Sequence, residues 1–318
     1  MKIFGPVPSR RLGQSLGINN IPPKICTLSC VYCQLGRSIK MQSERESFFS
    51  PDDLINETTD KINQARANGA QIDYLTVVPD GEPTLDSCLG ELLDGLNATG
   101  IRTAVITNST LLDSPDVRSD LSKASWVSVK VDAASEMVWR KVDRPLKSLN
   151  YDRIKEGLFL FSQEFTGILA AETMLVKGLN DSADTLRKTA SFIALLQPSI
   201  AYISIPTRPP AESWAVPPEE DRINEAFQLF TEAGLSCEYL IGYEGNQFSR
   251  TGDVVDDLLS ITSVHPMREE AVLKMIREAG ESFSLVEELI KKGRLVRTSF
   301  EGHIFYLRKL KNSDQKER

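Results

Sequence analysis

The stretch Ile21-Pro-Pro-Lys-Ile-Cys26-Thr-Leu-Ser-Cys30-Val-Tyr32-Cys33-Gln34 gathers three of the chain's five cysteines in the spacing C-x3-C-x2-C, with an aromatic before the last. Thiols this close on one loop are not a disulfide framework, which takes an even, dispersed set and an oxidising compartment. They point to metal. Three thiolates can each hold an iron of a single cluster, and three ligands for a four-iron cube leave one iron open. The ligand suited to that iron is an amino acid chelating through its amine and carboxylate. A structural zinc site is the alternative. It needs a closed tetrahedron, and the two histidines, His265 and His303, lie far along the chain. Cys88 and Cys237 stand alone in sequence and read as small buried hydrophobes.

Upstream, Leu12–Ile18 (LGQSLGI) alternates as a strand does, and the proline pair at 22–23 keeps the backbone extended into the loop. Downstream, Ser50 followed by Pro51 opens a helix that runs to about Gly69. Apolar runs then recur at Ile72–Val78, Arg102–Thr107, Trp126–Val131, Ile168–Val176, Ala201–Ile205 and Leu235–Ile241. Helical patterns separate them, at roughly 86–97, 115–123, 151–164, 182–196 and 218–233. Strands buried on both faces and joined through helices make a parallel sheet with right-handed crossovers. About six such units suit a complete or partial α/β barrel or an open doubly wound sheet, and periodicity does not choose between them.

A chain of 318 residues, 41% hydrophobic, suits one large domain and a small one. It has no apolar run of membrane-spanning or signal-peptide length, which predicts a cytoplasmic protein with no membrane partner. The net charge of −7 excludes bulk coating of nucleic acid, though not a local basic patch. Composition changes near Asp253, giving a domain of residues 1–254, a second of 255–310 and a polar, disordered tail of 311–318. The second domain reads as helices from about Val255, over Met267–Ala279 and over Ser284–Lys292. A hairpin turning at Glu301-Gly302 follows, which is the pattern of a winged helix. Residues 291–311 carry Lys291, Lys292, Arg294, Arg297, Arg308, Lys309 and Lys311 against Glu301 alone. That charge can track a phosphate backbone, although such domains also serve protein contacts and SLVEELIKK is acidic in its middle.

The cysteine spacing with Tyr32 resembles the radical S-adenosylmethionine (SAM) superfamily. The resemblance implies a partial (β/α)6 TIM-like barrel, here followed by the small winged-helix domain, and so selects among the sheet architectures. It also implies a [4Fe-4S] cluster on Cys26, Cys30 and Cys33 that passes an electron to S-adenosyl-L-methionine, releasing a 5′-deoxyadenosyl radical. Asp80-Gly81-Glu82-Pro83 is similar to the family's GGEP-like motif, with Asp80 where glycine is common. By that likeness Gly81 and Glu82 hold the methionyl ammonium. Asn108, Lys130 and Asp132, at the ends of the next strands, contact the ribose and carboxylate, Lys130 standing where a serine is frequent. Tyr32 belongs to the same cofactor-binding set. Ser128, Lys130 and Asp132 alternate and share one strand face. Glu172 either reaches the pocket or pairs with a neighbour.

The longer stretch FGPVPSRRLGQSLGIN, residues 4–19, resembles a radical SAM group related to the wyosine-forming tRNA enzymes, with a likeness extending to about residue 250. Those enzymes use a second cluster on additional cysteines, which this chain lacks. Residues 1–43 hold Lys2, Arg10, Arg11, Lys24, Arg37 and Lys40 and no acidic residue, a cationic rim suited to an anionic substrate or to the cofactor carboxylate. Arg10, Arg11 and Arg208 are the candidate substrate-binding residues, and Trp214 either stacks on a flat substrate or fills its own loop. The leading expectation is a radical SAM enzyme acting at the barrel mouth, on an RNA or protein presented by the winged helix, with a reductant protein such as ferredoxin or flavodoxin as electron donor. A cluster-containing DNA-binding regulator and an activating enzyme for a partner protein are the other two readings.

Overall fold

The computed structural model describes residues 2–241, 253–264 and 266–309. His265, Lys311 and the expected tail of 311–318 lie outside the described residues. The chain begins with β1 (Ile3–Ser9), β2 (Gly13–Ile18), β3 (Ile25–Cys26), β4 (Lys40–Met41) and α1 (Pro51–Ala67). Next come β5 (Tyr74–Val77), α2 (Leu89–Asn97), β6 (Arg102–Thr107), α3 (Pro115–Leu121), β7 (Trp126–Lys130), α4 (Glu136–Asp143) and α5 (Tyr151–Glu164). They are followed by β8 (Ile168–Met174), α6 (Ala183–Leu195), β9 (Ile200–Ser204), α7 (Glu220–Glu232) and β10 (Cys237–Leu240). The last elements are α8 (Val254–Val264), β11 (Met267–Arg268), α9 (Glu269–Glu278), α10 (Ser284–Lys291), β12 (Leu295–Phe300) and β13 (His303–Arg308).

One eight-stranded sheet runs β1-β2-β5-β6-β7-β8-β9-β10, parallel throughout except that β1 pairs antiparallel with β2. Strand β1 is absent from the sequence expectation because Pro6 and Pro8 break its pattern. Both prolines are tolerated because β1 is an edge, where a missing donor costs no ladder bond. The sheet is curled. Arg10, in the turn after β1, donates to the carbonyl of Leu240 at the end of β10, so the two edges are tied together. Alternate residues of the strands fill the inside of the curl, Tyr74, Ala104, Trp126, Ala170, Tyr202 and Leu240 packing around Leu12 from the same turn. The outward residues, among them Leu75, Val105, Val127 and Ile203, share the main core with Leu54, Leu92 and Phe161 of the helices. This is the two-faced burial that makes the strands apolar throughout.

Ser50 caps α1 as its sequence predicts, accepting from the amide of Asp53 at 3.4 Å, and Gly69 takes the left-handed conformation just beyond it. Helix α2 starts at Leu89 rather than 86, because Pro83-Thr84-Leu85 form a separate 3-10 turn and Asp86 turns its carboxylate onto the amide of Cys88. Helix α4, unforeseen in the sequence, is short but buries Val138, Trp139 and Val142. In the C-terminal region the helix expected from Met267 begins at Glu269, since Met267 and Arg268 pair with β13. Strands β11, β13 and β12 form a separate sheet. Its core joins Leu258, Met267, Val272 and Tyr306 to Phe4 and Val7 of β1. No described helix is long and apolar enough to cross a membrane.

Candidate active site

The cysteine loop leaves β2 and is held from two sides. On one, the segment that ends α4 runs beside it: the amide of Val31 donates to the carbonyl of Val142 at 2.9 Å, that of Ser29 to Asp143 at 3.1 Å, and that of Leu146 to Thr27 at 2.9 Å. On the other, Gly81 abuts the carbonyl of Ile25, and the Glu82 amide donates to the same oxygen at 3.1 Å. The Glu82 carboxylate accepts from the hydroxyls of Thr84 and Thr107, each at 2.6 Å, and from the Asn108 amide at 2.7 Å. Asn108 in turn donates from Nδ2 to Thr27 Oγ1 at 2.7 Å and to Cys26 Sγ at 3.4 Å. The DGEP turn and the end of β6 are therefore one hydrogen-bonded unit with the first cysteine.

Tyr32 points its hydroxyl at two carboxylates, donating to Asp132 and lying 3.2 Å from Asp143. Asp132 also accepts from the Met174 amide at 2.7 Å, so it fixes the tyrosine to the end of β8. Burial pushes Asp143 well above the carboxylate range, and Asp132 beside it adds to the rise. Lys130 Nζ lies 5.0 Å from the Tyr32 ring centroid and 3.0 Å from Glu172, which also takes hydrogen bonds from Arg11 and, at 2.9 Å, from Ser204. Burial alone would raise Glu172, but Arg11 and Lys130 outweigh it and hold the carboxyl well below its usual range. Glu172 is thus both pocket-lining and ion-paired.

These groups surround a cavity of about 330 Å³ inside the curl. Of the expected residues, Tyr32, Cys33, Lys130, Glu172, Arg10, Arg11 and Arg208 line it. Cys26, Gly81, Glu82, Asn108 and Asp132 stand outside that lining, in the contacts just described, as does Cys30, whose carbonyl accepts from the Cys33 amide at 3.2 Å. Ser128 and Lys130 share its wall as their alternation predicts, but Asp132 follows the end of β7 and turns to Tyr32 instead. Arg208 is buried and donates to Gln34 Oε1 at 2.6 Å. Trp214 neither fills its own loop nor lines the cavity: it is 50% exposed, with the Arg144 guanidinium 5.9 Å from its ring. Cys88 and Cys237 are half-buried rather than buried, Cys88 because it begins a surface helix and Cys237 because it begins an edge strand. Asp143, Gln34 and Ser204 escaped the sequence reading. For Asp143 the signal was present in Val142-Asp-Arg-Pro145, a polar break after an amphipathic stretch.

Among the described residues, no three cysteine, histidine or carboxylate side chains are grouped to enclose a single metal ion. By the chemistry of the donors, three thiolates spread along one loop suit a cluster whose irons are divided among them. Burial pushes the Cys26 thiol up to about 12, aided by Glu82, and raises Cys30 and Cys33 as well. Positive irons would relieve that penalty on the thiolates. The Leu28 amide and Asn108 Nδ2, both directed at Cys26 Sγ, are donors suited to a metal-bound sulfur.

The radical SAM superfamily profile matches residues 20–193. A UPF0026 protein of Methanocaldococcus jannaschii is 41% identical over 98% of this chain and 97% of its own length. An S-adenosyl-L-methionine-dependent tRNA 4-demethylwyosine synthase of Oryza sativa is 26% identical over 57% of this chain and 29% of its own length. Among solved structures, a radical SAM methyltransferase from Sphaerobacter thermophilus superposes with a TM-score of 0.54 and 14% identity, over 71% of this chain and 66% of that one. The last likeness concerns the fold: a mixed α/β unit with a curled half-barrel sheet.

Proposed function

The chain belongs to the radical SAM superfamily, and from that premise we propose that Cys26, Cys30 and Cys33 hold a [4Fe-4S] cluster whose open iron receives S-adenosyl-L-methionine. Superfamily members are enzymes, and so is this protein. When bound, such a cluster would supply one electron to the sulfonium, the radical chemistry of the superfamily, and the cavity would hold the substrate.

The chain's own residues prepare that encounter. Gly81 and the Glu82 backbone bring the methionyl site against Cys26, and Asn108 donates to that sulfur. In this reading Glu82 acts through its backbone and as the knot of the loop, because its carboxylate is already saturated by Thr84, Thr107 and Asn108. Asp132 holds Tyr32 at the cavity wall, and Lys130, kept protonated against burial by Glu172 and Asp132, would pair with the cofactor carboxylate. Leu12 and Trp126 belong to the apolar layer that closes the inside of the curl, excluding water from one end.

The C-terminal order of helix, strand, two helices and hairpin supports a winged helix over 255–310, following a barrel domain of 1–254. Two of its cations are already engaged, Lys292 with Glu288 at 2.5 Å and Arg297 near Glu269 at 3.8 Å, which weakens it as a track for a phosphate backbone. The observation that carries the proposal is the single hydrogen-bonded unit joining DGEP, the end of β6 and the cysteine loop. Anaerobically reconstituted protein reduced with dithionite should release 5′-deoxyadenosine from S-adenosyl-L-methionine. A fully loaded cluster that releases none would overturn the proposal.

A further inference from the structure

The reaction proposed above takes up one electron for each cofactor cleaved, and that electron has to reach the cysteine loop. Cys88 and Cys237 begin separate elements, α2 and β10, so they form no second group of thiols to relay it. A carrier outside the chain must therefore come close to the loop. Three sides of the loop are taken: Cys33 faces the cavity, the region of Cys26 meets Gly81 and Asn108, and the Val31 amide is bonded to the end of α4.

On the remaining side the cover is thin. The amide of Glu212, in the segment after β9, donates at 3.0 Å to the carbonyl of Val31, which lies between Cys30 and Cys33. The Glu212 carboxylate accepts from Arg37 at 2.8 Å and from Arg144 at 2.5 Å. That carboxylate is only 11% exposed, whereas the Arg37 side chain is 69% exposed and that of Arg144 39%. The negative group lies beneath and both guanidiniums face solvent. The outward potential here is positive, on a chain whose net charge is −7.

Apolar side chains flank the two cations. Trp214, half exposed, stands beside Arg144. Next to Arg37, Ser38 donates to the carbonyl of Leu28 at 2.5 Å and Leu28 bridges to Pro145, which makes the patch continuous, and the neighbouring Ile39 is the most exposed large apolar side chain described. An indole beside guanidiniums is the composition in which binding energy concentrates at protein interfaces. We propose that Arg37, Ile39, Arg144 and Trp214 form the docking surface for an acidic one-electron carrier protein. One electron leaves the carrier, which is oxidised, and enters the cluster, which is reduced; no bond forms or breaks and no proton moves. Encounters of this kind bury little area and depend on complementary charge, which suits a patch of this size. The inference rests on the enzyme reading above, but none of the four residues lines the cavity, so it is independent of the substrate.

The probes are a flavodoxin and a ferredoxin, both acidic one-electron carriers, titrated calorimetrically in their oxidised forms into anaerobically reconstituted full-length protein. At least one should bind, and added salt should weaken the binding. Trp214→Ala should weaken it about tenfold. Arg144→Gln should weaken it about threefold and flatten the salt dependence, whereas Lys188→Ala on α6 should leave it unchanged. With the same carrier reduced and limiting, Trp214→Ala and Arg144→Gln should release 5′-deoxyadenosine more slowly than wild type. With dithionite, which is small and needs no docking surface, they should match it. Thermal melting separates a folding defect from a docking defect in each variant. Binding of neither carrier, binding indifferent to Trp214 and Arg144, or displacement of the carrier by a more tightly bound short RNA would overturn the inference. Absence of release even with dithionite would instead defeat the enzyme reading and leave the calorimetric result standing, so the two proposals fail separately.

Discussion

A Cβ on Gly81 would lie 1.9 Å from the carbonyl oxygen of Ile25, the residue before Cys26. The contact exists because position 81 has no side chain, and it lets the next amide, that of Glu82, reach the same oxygen. Gly81→Ala should therefore displace the cysteine loop, lowering stability by about 1–3 kcal/mol and reducing iron uptake on anaerobic reconstitution. Urea denaturation and an iron assay check both. Unchanged stability with full iron would mean that the loop yields without cost.

Glu82→Gln places an amide group where the carboxylate accepts from the Asn108 backbone, setting donor against donor. The expected loss is about 1–3 kcal/mol, the usual cost of leaving a buried polar group unsatisfied. Denaturant melts of the cluster-free protein measure it. A variant of full stability that has lost only S-adenosyl-L-methionine affinity would instead place the side chain in direct contact with the cofactor.

Asp80 is buried, its Oδ1 has no hydrogen-bond partner among the described residues, and burial lifts its pKa to about 7. An aspartate in the unfolded chain titrates near ~4. The native state thus keeps a proton that the unfolded state has lost, and stability should fall as pH rises from about 4 to about 7 and then level off. Asp86, lifted to about 6 by burial, adds a share of the same sign. Asp80→Asn removes the larger share, so the variant should show a shallower slope and exceed wild type at pH 8 in denaturant titrations. Identical slopes would contradict the assignment.

Single replacement of Cys26, Cys30 or Cys33 by alanine should abolish the visible absorbance of the reconstituted protein. Cys88→Ser and Cys237→Ser should keep it, since neither belongs to the loop. Loss of colour in either serine variant would show a fourth protein ligand and close the open iron.

Much of the site was legible because its chemistry is local in sequence. The cysteine spacing, DGEP and Thr107-Asn108-Ser109 are each short, and strand alternation carries Lys130 to the cavity wall. Contacts made across the fold were not legible. Val142-Asp-Arg-Pro145 marks a polar break at Asp143 but not that the end of α4 runs beside the cysteine loop, and nothing near Arg10 indicates that it reaches Leu240. Strand β1 hid behind its prolines, since a pattern suited to an edge lacks the donors and regularity of an inner strand. Glu172 had two readings because its pairing partners, Arg11 and Lys130, lie on other elements, and both readings hold at once.

Mössbauer spectroscopy of iron-57-reconstituted protein, before and after addition of S-adenosyl-L-methionine, bears most directly on an incompletely ligated cluster held by three sulfurs. The prediction is about four irons per chain, with the spectrum of roughly one quarter of them changing when the cofactor is added. Zinc in place of iron, or a cluster whose spectrum ignores the cofactor because protein atoms already complete it, would contradict the assignment.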